Sequence, residues 1–124
     1  MKYTDIIGLD VKSGLSLVAN NKTVYLRLLK SFAANAFCDR LLEAINGGDA
    51  EEIRLAAHSL KGVAGNMRMD ELFGLSREIE QEAKSGAPVS ASGKNVQKII
   101  AANELTLGSV NMLIENPALL DGLE

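Results

Sequence analysis

The chain has 124 residues, 47% of them apolar, with a formal charge of −3. That length supports one hydrophobic core of ordinary size and leaves no room for a second domain. Without a long Lys/Arg run, the charge argues against nucleic acid or an anionic membrane as the main partner and in favour of a protein or a small ligand.

The single cysteine, Cys38, can form no internal disulfide, and no apolar run approaches the ~20 residues that span a bilayer. Met1 to Asp10 lacks the basic segment and apolar core of an export signal. A reduced, soluble, monomeric protein in the cytoplasm is expected, with residues 1–122 as its one domain and Leu123-Glu124, either native or a cloning remnant, set aside.

Turn residues divide the chain at Asn20-Asn21, Gly47-Gly48-Asp49, Arg68 to Asp70, and Ser85 to Gly93 around Pro88. Between them, apolar spacing predicts helices near 11–19, 21–46, 50–67, 70–85 and 92–115. Nothing alternates with the period of a strand, and the β-branched residues are scattered among good helix formers. Start signals support these elements. Asp49 with Glu52 has the form of a capping box, Asp70 followed by Glu71 gives a similar start, and Ser90 or Ser92 suits the last helix. The class is all-α, and four substantial helices with short connections predict an antiparallel four-helix bundle capped by the short additional N-terminal helix.

The second predicted helix is richer in apolar residues than one core face requires. Leu26, Leu29, Ala33, Phe37, Leu41 and Ala44 form one stripe, and Tyr25, Leu28, Phe32 and Ala36 form another beside it. Either the segment with Leu15 and Val18 buries this second stripe, or part of it, Phe32 included, stays exposed as a docking patch.

The helix predicted from Ala50 contains the chain's only histidine, His58. With about 100° of rotation per residue, Ile53, Ala56, Ala57, Val63, Ala64 and Met67 fall within roughly 60° of Leu60 and form an inward face. His58 lies about 160° from that centre and points outward. Its stripe also carries Arg54, Lys61, Gly62 and Gly65, with Leu55 at the edge. Each of the two glycines is unfavourable in a helix by about 1 kcal/mol relative to alanine. Close approach of another surface explains them, either a neighbouring helix of the same bundle or a partner brought near the imidazole.

A neutral imidazole nitrogen is a good nucleophile for phosphorus, and nearby Lys61 and Arg54 favour an arriving anion. No Asp or Glu is aligned on this stripe, and His58 has no sequence-evident nucleophile or orienting carboxylate beside it. There is no Cys/His metal set and no glycine-rich nucleotide loop. Such a surface holds neither Mg²⁺ nor ATP by itself, so a partner must bring the metal and its acidic ligands.

The segment Ala57-His58-Ser59-Leu60-Lys61-Gly62-Val63-Ala64-Gly65-Asn66 resembles the phosphorylated-histidine motif of histidine-containing phosphotransfer (HPt) domains. The likeness extends through Gly47-Gly48-Asp49 and Tyr25 to Phe32 upstream, and through Leu72, Leu75, Ile79-Glu80 and Ala83 downstream. It covers roughly residues 8 to 115. Gly8-Leu9-Asp10-Val11 and Gly14-Leu15 are similar to the lead-in of HPt domains at the C-terminal end of hybrid sensor kinases.

The resemblance implies a four-helix bundle and a phosphorelay carrier. His58 would be phosphorylated at its outer ring nitrogen and Lys61 would be the nearby cation, with Gly62 and Gly65 leaving room for a partner. Response-regulator receiver domains and a sensor histidine kinase would be the partners, with Mg²⁺ on the receiver and no cofactor bound by the chain itself. On this reading the chain is not an enzyme, and its cytoplasmic setting includes that of a soluble domain of a membrane-bound kinase. A helical-bundle interaction module that is not phosphorylated is the alternative. One departure stands out: the family commonly has glycine ten residues after the histidine, where this chain has Arg68.

Overall fold

The computed structural model describes residues 1–124. Its helices are α1 (Val11–Leu17), α2 (Lys22–Asn35), α3 (Phe37–Gly47), α4 (Ala50–Asn66), α5 (Asp70–Lys84) and α6 (Lys94–Glu115). Short 3₁₀ turns at Tyr3–Asp5 and Pro117–Asp121 flank them, and there are no strands. The chain folds as an all-α antiparallel four-helix bundle in which α2 and α3 together supply one arm. None of its helices is long and apolar enough to cross a membrane.

Local chemistry explains most of the boundaries. The Asp10 side chain accepts from the Ser13 amide at the start of α1, and the Asn21 side chain accepts from the Val24 amide at the start of α2. Asp49 Oδ1 accepts from the amides of Glu51 and Glu52, at 2.9 and 3.2 Å, and so caps α4 as its sequence predicts. Two expected caps are corrected. Asp70 is the first residue of α5 and not its cap, so Asp70 and Glu71 act on the helix dipole from within the first turn. α6 begins at Lys94 after Gly93, beyond both Ser90 and Ser92, whose hydroxyls lie 3.4 Å from each other.

The continuous helix expected over 21–46 is broken at Ala36, which adopts the left-handed conformation (φ 48°, ψ 48°). In an unbroken helix residues 32 and 37 would point about 140° apart. The break instead stacks the Phe32 and Phe37 rings, with centroids 6.1 Å apart, and sets the Arg40 guanidinium 5.7 Å from the Phe37 centroid.

The core is filled by Leu29, Leu41, Leu60, Leu72, Ile79, Ile99 and Leu113, all fully buried. α1 lies across Tyr25, as its Gly14 shows: a Cβ there would stand 2.8 Å from Tyr25 Cε1. Tyr25 and Phe32 are buried while Leu28 and Ala36 of that second stripe are exposed, so the burial reading holds for the two aromatics. Phe32, expected as a partner-binding residue, is corrected to a core residue, because it shares the buried face of α2 with Tyr25 and Leu29 and stacks on Phe37. Leu123 and Glu124 take part in the fold. The Glu124 carbonyl accepts from the Tyr3 amide at 3.0 Å, and Leu123 packs against the core.

α4 and α5 form the most extensive helix pair and are joined by a three-residue turn, Met67 to Met69. Arg68 occupies the left-handed region there (φ 57°), the conformation in which the related glycine carries no side-chain penalty. The turn therefore keeps a glycine-like path despite the substitution, and the Arg68 carbonyl accepts from the Asp10 amide at 3.0 Å.

The strain at Ala36 is testable. Left-handed backbone disfavours alanine by about 1–2 kcal/mol, partly offset by the greater freedom glycine has when unfolded. Ala36→Gly should therefore raise stability by about 0.5–1 kcal/mol in denaturant melts, whereas the same change at Ala34, inside α2, should lower it by a similar amount.

Candidate functional site

The outward stripe of α4 is arranged as its periodicity predicts. Ile53, Ala57, Leu60, Ala64 and Met67 are buried, while the His58 side chain is 61% exposed. Leu55, one turn earlier, is half exposed. Gly62 faces open space: nothing lies within 4 Å of where its Cβ would be.

Gly65 differs. A Cβ there would come 3.2 Å from Phe73 Cδ2 of α5, so at this position glycine serves packing inside the bundle. The expectation that Gly65 simply leaves room for a partner is corrected accordingly. Arg54 donates to Glu51 through Nε at 2.9 Å and Nη2 at 2.5 Å, a bidentate pair within the first turns of α4. It draws the Glu51 carboxyl below its ordinary value by hydrogen bonding and charge.

The main finding comes from α5. Glu80 lies on the buried side of that helix with its side chain only 3% exposed, and it reaches the His58 ring: His58 Nδ1 and Glu80 Oε2 are 2.6 Å apart. Its other oxygen accepts from Lys61 Nζ at 2.7 Å, and Lys84 Nζ stands 3.6 Å from that same oxygen. The expectation that His58 has no orienting carboxylate is thereby corrected, because the carboxylate belongs to the neighbouring helix and not to the stripe itself. Burial pushes the Glu80 carboxyl up, but the hydrogen bonds from Lys61 and His58 and the charges of Lys61 and Lys84 outweigh it, leaving a value of about 2.

An ionised carboxylate only accepts hydrogen bonds, so the hydrogen between them resides on His58 Nδ1. In the neutral ring this leaves the Nε2 lone pair as the free nucleophile on an exposed side chain. His58 lines none of the cavities of the molecule. The His58 ring thus stands on open surface, outside every cleft of the molecule.

Glu80 was the residue that sequence reasoning missed. The signal was its position: Leu72, Ser76, Ile79, Glu80 and Ala83 recur with the spacing of one buried helical face, and an acid on such a face requires a paired cation. No three His, Cys, Asp or Glu side chains are grouped so as to hold a metal ion.

A family model described as Hpt domain matches residues 28–116. Neither a curated protein nor a solved structure matches the chain significantly.

Glu80 should leave a mark on acid stability. Its folded value lies below the ordinary 4.5, so its contribution is fully present above that pH and is lost as pH falls toward about 2. Glu80 is faced by His58, Lys61 and Lys84, and all three lose their counter-charge together. Melts between pH 5 and 2 should fall less steeply for Glu80→Gln than for the wild type, with the variant on the order of 1–3 kcal/mol less stable at pH 7. Parallel acid limbs would rule out the buried-anion account.

Proposed function

The chain belongs to the Hpt domain family, which performs histidine phosphotransfer in phosphorelay signalling, and we propose that His58 is its phosphorylated residue. On this reading His58 accepts a phosphoryl group from the aspartate of one response-regulator receiver domain and passes it to another, downstream of a sensor histidine kinase. The observation that carries it is the Glu80 contact, 2.6 Å from Nδ1, which commits the Nε2 lone pair to the exposed side of the ring.

The chemistry follows from that arrangement. Nε2 attacks the phosphorus of the aspartyl phosphate; the N–P bond forms as the P–O bond breaks, and the aspartate leaves as a carboxylate. Nδ1 keeps its hydrogen throughout, so no proton needs to be moved. The ring becomes positively charged, and the buried Glu80 anion already faces that charge. The reverse sequence discharges the group onto the next receiver. The chain acts as a carrier without an ATP site of its own, and the Mg²⁺ that transfer calls for belongs to the receiver.

Gly62 and the half-exposed Leu55 offer the partner a close approach on either side of His58, and Arg54 and Lys61 complete the surface. A monomeric carrier in the cytoplasm, where receivers and kinase output domains meet it, completes the proposal.

Incubation with a phosphorylated receiver and Mg²⁺ should place an acid-labile, alkali-stable phosphate on the wild type and none on His58→Gln. A folded His58→Gln protein that still takes the label would refute the assignment. Gly62→Ala separates docking from folding. Alanine is the better helix former by about 1 kcal/mol and meets no neighbour inside the molecule, so the melting temperature should rise while transfer from a receiver slows. A variant that transfers at the wild-type rate would remove Gly62 from the docking surface.

A further inference from the structure

We propose that Lys84 supplies the positive charge that meets the phosphoryl group, and that Lys61 is a positioning residue that acts through Glu80 on the His58 ring. This deepens the reading of His58 as the phosphorylated residue and rests on it.

The charges around His58 divide into pairs. Arg54 gives two donors to Glu51, and Lys61 gives a 2.7 Å hydrogen bond to Glu80. Each of these cations already faces its own carboxylate, so neither pair presents net charge to an arriving anion. The one positive charge left over belongs to Lys84. Its Nζ is 3.6 Å from Glu80 Oε1, beyond hydrogen-bonding distance, and its side chain is 54% exposed.

Mobility divides the two lysines in the same way. Lys61 is 24% exposed and donates directly to a carboxylate that is 3% exposed, so turning it toward a phosphoryl group would strip a buried anion of a hydrogen bond. Lys84 leaves nothing unsatisfied when it turns. It sits one turn after Glu80 on the solvent side of α5, and its flexible stem and strongly hydrated ammonium suit a point-charge contact with phosphate oxygens. Once the N–P bond has formed, Glu80 faces the positive ring and Lys84 faces the dianionic group.

A partner-free test uses phosphoramidate as donor. Nε2 attacks its phosphorus, the N–P bond to the ring forms as the donor's P–N bond breaks, ammonia leaves, and Nδ1 keeps its hydrogen. Labelling of the full chain is followed by phosphorus NMR, and the ring nitrogens by ¹⁵N spectra.

At low salt Lys84→Gln should take the label roughly 2- to 10-fold more slowly than wild type, as expected for an exposed cation acting on a dianion. The difference should shrink at 0.5 M salt by screening. Lys84→Arg should recover most of the rate, and the ring-nitrogen shifts and melting temperature of Lys84→Gln should match wild type. Lys61→Gln should instead move the ring-nitrogen shifts and lower the melting temperature. Wild-type labelling by Lys84→Gln at low salt overturns the proposal, and so does a slowed variant whose ring-nitrogen shifts have moved. A wild-type protein that takes no label at His58 refutes the carrier reading itself.

Discussion

The contact between the Glu80 carboxylate and His58 Nδ1 organises the rest of the site. A carboxylate with 3% of its side chain exposed stays ionised only where donors and cations compensate its lost hydration, and here Lys61, His58 and Lys84 do so from two helices. One buried anion therefore fixes the ring's orientation, its tautomer and the place of Lys61. It also ties α4 to α5 by a polar bridge alongside the apolar packing of Leu60, Leu72 and Ile79. Removing Lys61 would strip the buried carboxylate of a direct hydrogen bond, whereas the exposed Lys84, 3.6 Å away, adds charge without one.

On the proposed reading of His58 as the carrier residue, this constraint resolves a conflict in what such a histidine has to do. The nitrogen that takes the phosphoryl group must be open enough for two different proteins to reach it, yet an exposed side chain is ordinarily free to rotate. His58 meets both demands by using its two nitrogens differently: Nδ1 is held from beneath by Glu80, while the ring remains 61% exposed. Because the anchoring atom comes from the bundle and not from a loop, the open nitrogen has the precision of a helix-mounted group. The surrounding surface can then remain shallow, with Gly62 presenting backbone alone.

The sequence made the helix positions and the outward direction of His58 legible because both depend on periodicity within one helix. Of the inward set centred on Leu60, Ile53, Ala57, Ala64 and Met67 are buried with it while Ala56 and Val63 are partly buried at its edges, and Asp49 caps α4. What it obscured depends on relations between helices. In the sequence Glu80 entered only as part of the likeness to HPt domains; its place on the buried face of α5 calls for a cation, but that it meets Lys61 and His58 is decided across the interface. The break at Ala36 was hidden for a similar reason. Alanine is the strongest helix former, and what accompanies the bend there is tertiary: Phe32 stacks on Phe37, and Cys38, Leu41 and Ile45 of α3 are buried. Gly62 and Gly65 share one stripe in sequence, yet Phe73 stands over only one of them.

The pairing of His58 with Glu80 depends on register, and register depends on the α4–α5 turn. His58 lies eight residues before the end of α4 and Glu80 ten residues after the start of α5, or about 12 and 15 Å of helix. A slip of one residue in either helix would rotate its side chains by about 100° and carry the carboxylate away from the ring. The three-residue turn prevents such a slip. Met67 and Met69 are both buried, the Met69 amide closes back on the Ala64 carbonyl at 2.9 Å, and Arg68 between them accepts left-handed backbone and binds Asp10 from the lead-in to α1. The strain at Arg68 is thus matched to a contact 10 residues away: by holding two helices in one register, it keeps the buried Glu80 carboxylate under His58 Nδ1.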